Sequence, residues 1–159
     1  MGRFSTKTQS TALVPATPER VWAALADPHQ LAHMTPLLQE VRKQGADHWV
    51  WEMNEIAVVG RSFSFTFTER MTFEEHRRIE FTHDPSAGVG KEIAGVEGWY
   101  DLTPRDGGTW LEASMEISVD LPFPGLARPA ITTAMKGVVA MMGQRFGHHL
   151  LEHLESEAD

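Results

Sequence analysis

Four polar side chains are placed by residue parity among apolar ones. Glu69 lies two residues beyond Phe67 in the run from Arg61 to Phe73, where Phe63, Phe65, Phe67, Met71 and Phe73 alternate with Ser62, Ser64, Thr66, Thr68, Arg70 and Thr72. The same counting sets Arg77 and His83 with Ile79 and Phe81, and Tyr100 with Val96 and Leu102. An acid, a guanidinium, an imidazole and a phenol converging on an apolar pocket can orient a small molecule, or act as general acid or base on a bound carbonyl. A carboxylate at Glu69 is costly in such a place unless it is paired or protonated. A plainer reading, preferred here for Glu69, Arg77 and His83, turns these groups to solvent at the pocket rim, or else pairs Glu69 with Arg77 across adjacent strands.

Other spacings carry less chemistry. His149-Leu150-Leu151-Glu152-His153 matches the HxxEH pattern of a zinc-protease class, but the third protein ligand of that class normally follows much further along, and the sequence ends at Asp159. His29 and His33, one helical turn apart, read as solvated helix histidines. Gly88-Val89-Gly90-Lys91 lacks the upstream glycine of a phosphate loop, and Glu92 stands where that loop has serine or threonine, so a turn before a strand is expected. No cysteine is present among the 159 residues, which excludes disulfides, thiolate metal sites and cysteine nucleophiles. No metal or cofactor is implied. The formal charge of −8 argues against nucleic acid and anionic membrane surfaces as partners. With no signal-like stretch and no window long enough to span a bilayer, stable membrane insertion is not expected and a cytoplasmic address is the default.

The elements that must position these residues are legible from period and punctuation. A strand from Lys7 to Val14 is closed by Pro15. Thr17 then caps a short helix that opens with Pro18, and Asp27-Pro28 repeats the signal for a second, ended by Pro36. From Leu38 the period becomes two, giving strands over Leu38 to Gln44, His48 to Val58, Arg61 to Phe73, His76 to His83, Glu92 to Thr103 and Thr109 to Leu121. Arg105-Asp106-Gly107-Gly108 is a hairpin turn, and the short connections imply an antiparallel meander. After Gly125 the helical period returns, with Ile131, Met135, Val138, Met142, Phe146 and His149 near one face of a long helix. Gly137, Gly143 and Gly147 each weaken that helix by roughly 1 kcal/mol relative to alanine, and close helix–sheet packing is the expected reason for them. Residues 1–159 read as one folding unit.

The segment from Val14 to Pro28 (VPATPERVWAALADP), with Gly98-Trp99-Tyr100-Asp101-Leu102-Thr103-Pro104 leading into Gly107-Gly108-Thr109, resembles the SRPBCC superfamily. That superfamily includes START lipid-transfer domains, polyketide cyclases and pollen-allergen-like proteins. The resemblance implies an α+β helix-grip fold: a curved seven-stranded antiparallel sheet wrapped around a long C-terminal helix, two short helices after the first strand, and a hydrophobic cavity between sheet and helix. It carries over no catalytic residue. In such a cavity the expected ligand-binding residues are Trp51, Phe63, Phe65, Phe67, Glu69, Arg77, Phe81, His83, Tyr100, Met115, Met135, Val138, Met142 and Phe146. Methionines, here joined by Met53 and Met71, adapt to irregular shapes. Binding or transport of a hydrophobic small molecule, lipid or polyketide-like, is therefore expected. A cyclase or dehydratase, and a regulatory or interaction domain with a filled cavity that forms a homodimer, stand as alternatives.

Overall fold

The structure, a computed structural model, describes residues 2–88 and 90–157. Val89, in the glycine turn noted above, lies outside the described residues. Helix α1 (Pro18–Leu25) is capped by Thr17, whose hydroxyl accepts from the Arg20 N–H at 3.3 Å, and α2 (Pro28–Met34) by Asp27, which accepts from the N–H groups of His29 and Gln30 at 3.0 and 3.4 Å. Both begin with proline, where the missing N–H costs nothing. Their apolar faces, Val21, Ala24, Leu25, Leu31 and Met34, are buried.

Seven strands form one antiparallel sheet: β1 (Gly2–Val14), β2 (Leu38–Gln44), β3 (His48–Met53), β6 (Thr66–Glu74), β7 (Arg78–His83), β8 (Ala94–Arg105) and β9 (Gly108–Leu121). Their order across it is β1-β9-β8-β7-β6-β3-β2, so the first strand returns to pair with the last. β1 starts at Gly2, five residues before the expected Lys7, because Phe4, fully buried opposite Val119, anchors the earlier stretch. Asp106 and Gly107 adopt positive φ in the β8–β9 turn, as its composition requires.

The expected strands His48 to Val58 and Arg61 to Phe73 are each broken. Their tips separate as β4 (Ile56–Val58) and β5 (Arg61–Phe63), a two-stranded ribbon of its own. Side-chain alternation continues across the break, with Phe63 half-buried and Phe65 and Phe67 buried, so period alone could not reveal the bend.

Helix α3 (Arg128–Glu157) follows a single 3-10 turn at Gly125–Ala127 and is buried at two places, Ile131 with Met135 and Leu150 with Leu154. Each place belongs to a separate core cluster. Leu150 and Leu154 pack with α1, α2, Trp49, Met71, Ile79, Phe81 and Leu102; Ile131 and Met135 pack with Phe4, Val58, Phe65, Phe67, Val119 and Leu121. His149 Nδ1 lies 3.0 Å from the Met34 carbonyl oxygen, and Arg20 donates to that of Leu154, tying the helix to α2 and α1. The architecture is the expected helix-grip arrangement. Among the described residues no helix is long and apolar enough to cross a membrane.

Candidate functional site

Between the two clusters the packing loosens. On the stripe of α3 that joins Met135 to Leu150, the residues Val138, Met142 and Phe146 are only half-buried. On the sheet, Trp51 and Met53 of β3, Val96 and Tyr100 of β8, and Ala113, Met115 and Ile117 of β9 likewise keep accessible surface. Trp51, Met53 and Val96 touch both clusters, which locates them at the junction. The inward positions of β1 follow the same trend: Phe4, Thr6 and Val14 are buried, whereas Thr8, Ser10 and Ala12 between them are exposed. Two clefts, of about 470 Å³ between α2 and β2 and about 250 Å³ beside Trp22 and the β2–β3 turn, include none of the fourteen expected residues.

Glu69 stands at the same junction. It pairs in register with Trp49 on one side and His83 on the other, between the inward-facing Phe67 and Met71, and is 1% exposed. Its Oε2 has no hydrogen-bond partner, and neither does the buried Nε1–H of Trp51, whose ring stacks on Phe67 at 5.9 Å. An unsatisfied buried polar atom costs about 1–3 kcal/mol, so two on adjacent strands are a substantial concession by the fold. Desolvation, and secondarily the charge of Glu97, push the Glu69 carboxyl well above the usual range, favouring the neutral acid. Desolvation, with Glu69 as the lesser cause, likewise raises the Tyr100 phenol, which stays protonated. The Tyr100 ring lies against Phe81, centroids 5.5 Å apart.

Glu69 is buried rather than turned to a rim, and among the described residues no ion pair joins it to Arg77. Arg77 occupies the β6–β7 turn, because β7 begins only at Arg78, and is turned to solvent as the plainer reading expected. His83 is half-buried, with Nε2 2.8 Å from Glu92 Oε1. Phe65, Phe67, Phe81 and Met135 are buried in the clusters, and Phe63 is half-buried beside the second.

Glu92 was missed by sequence reasoning. Its side chain is 3% exposed and accepts from the Thr68 N–H and hydroxyl at 2.8 and 2.6 Å, besides contacting His83. It straps the β7–β8 loop to β6 where ladder bonds end. Gly88 and Gly95 serve that strap: a Cβ would lie 2.4 Å from Glu92 Oε2 at the first and 2.4 Å from the His83 ring at the second. An acid just before a strand gives no sequence signal of this kind.

The profile of the family described as polyketide cyclase / dehydrase and lipid transport matches residues 5–155. The chain belongs to this family. Among solved structures, this cyclase and lipid-transport family member resembles the Zhui aromatase/cyclase of Streptomyces sp. R1128 at a TM-score of 0.72 and 17% identity, over 98% of this chain and 96% of that one. A START superfamily protein of Mycobacterium smegmatis aligns at 0.66 and 15% identity over 98% and 99%, respectively. The di-domain aromatase/cyclase StfQ of the steffimycin pathway aligns at 0.68 and 12% identity, over 98% of this chain and 52% of that one. Comparison with curated proteins finds no match. Identities this low establish the shared fold alone.

Proposed function

We propose that this family member binds an apolar small molecule, lipid or polyketide-like, between the centre of α3 and the sheet, and carries or presents it. The observation that carries the reading is the division of the core. Both ends of α3 are buried, while Val138, Met142 and Phe146 on the stripe between them are half-buried, as are Trp51, Met53, Val96, Tyr100 and Met115 of the sheet. A sheet closed on a helix at both ends leaves volume in the middle that side chains fill or cede to a ligand, and the half-burial of these residues supports the second. Thr8, Ser10 and Ala12 mark the way in.

Met142→Trp tests this by adding bulk at the centre of the stripe. The variant is expected to fold, by circular dichroism, and to lose at least about tenfold in affinity for an apolar probe such as fluorene, through steric exclusion worth ~1.4 kcal/mol or more. Unchanged affinity in a folded variant would remove the site from this position.

A further inference from the structure

We propose that Trp51 and Glu69 form the polar end of this site and select an uncharged ligand bearing a hydrogen-bond acceptor, such as a ketone, ester or lactone carbonyl, in preference to an apolar carboxylate. The inference rests on the binding reading above and adds the chemistry of what is bound.

Two unpartnered groups carry it. Trp51 Nε1–H can only donate, and it is buried without an acceptor. Glu69 is 1% exposed, and its unpartnered Oε2 belongs to a carboxyl that burial holds in the neutral form, so it too has a proton to donate. Both residues face inward from adjacent strands, Trp51 opposite Phe67 and Glu69 one inward position along from Phe67. They do not satisfy each other. A carbonyl oxygen, with two lone pairs, accepts from both donors and contributes no charge.

The charges around Glu69 argue against an anion. Glu97 and Tyr100 of β8 and His83 of β7 are its titratable neighbours, and His83 is already engaged by Glu92. Trp49 and Trp51 of β3 and the stripe Val138, Met142 and Phe146 of α3 bring no charge. Among the described residues no lysine or arginine is buried. A carboxylate entering here would meet an acid and no cation.

The test uses three probes of one shape, fluorene, fluorenone and fluorene carboxylate, measured by calorimetry at neutral pH. Fluorenone is expected to bind ~10-fold tighter than fluorene through two recovered hydrogen bonds, with the carboxylate weakest of the three. Trp51→Phe and Glu69→Leu should each bring the ratio of fluorenone to fluorene affinity down toward one, whatever they do to fluorene itself, and Glu69→Gln, which keeps a donor, should retain the preference. The carbonyl stretch of bound fluorenone should lie below its frequency in hydrocarbon solvent and rise in Trp51→Phe, a readout that altered packing alone does not move. If Glu69→Leu does not fold, the Trp51 variant and the infrared shift still decide. Fluorene and fluorenone binding equally, or the carboxylate binding tightest, would overturn the inference and leave the apolar site standing. Failure of all three to bind would overturn both.

Discussion

Glu69 makes stability depend on pH in the direction opposite to a salt-bridged acid. Its carboxyl binds a proton more tightly in the folded protein than its ordinary value of 4.5 allows, so from that pH upward the unfolded chain releases a proton that the folded one keeps. The stability contributed by the neutral acid is complete below the unfolded value and declines as pH rises through the folded one. Glu69→Gln should therefore unfold at higher urea concentration than the parent at alkaline pH, with the gap narrowing toward pH 4.5. A gap independent of pH would show that Glu69 is not held neutral. The inward placement of Glu69 was legible, because parity from Phe67 is a property of the strand. Its lack of a partner was not: that depends on the β6–β7 register, which places His83 rather than Arg77 opposite it, and on Glu92 reaching back from an aperiodic loop to engage His83.

The elements show where local signals suffice. Proline behind a threonine or aspartate cap fixed the starts of α1 and α2 because the cap is a contact between near neighbours. The separation of β4 and β5 left no trace in a continuous alternation of phenylalanines. The close packing expected of the glycines of α3 is not found, since a Cβ at Gly137, Gly143 or Gly147 would meet nothing within 4 Å. Their cost in helix propensity is not offset by a close approach. Gly143→Ala, at an exposed position, should stabilise the protein by about 0.5–1 kcal/mol, read as a rise in melting temperature. Gly98→Ala is the converse: its Cβ would fall 2.0 Å from the Ser114 carbonyl oxygen and 3.0 Å from the Phe81 ring, and a loss of about 2 kcal/mol or more is expected. Stabilisation by the second, or destabilisation by the first, would contradict this account of the two environments.

At the scale of the molecule, the meander, the terminal helix and the inward faces followed from periodicity, whereas the exposure of Thr8, Ser10 and Ala12 between the buried ends of β1 did not. Those residues look like any polar-and-small edge strand until the return of β1 to β9 pairs them with Met115, Ala113 and Leu111. A ligand held in the proposed site, between the two core clusters, should be felt by the whole fold. A probe at about 100 times its dissociation constant adds about 2.7 kcal/mol to the unfolding free energy, which is a rise of roughly 5–11 °C for a domain of this size. The parent with saturating fluorenone should show that rise and Met142→Trp should not; equal rises in both would mean that the probe binds elsewhere. The divided core has a consequence for how such a protein can change. The residues that fold it, such as Phe4, Ile79, Leu121, Ile131 and Leu150, are distinct from those that line the proposed site, such as Val96, Met115 and Met142. New cargoes can therefore be reached by exchanging a handful of central side chains while the anchors at either end go on specifying the same scaffold.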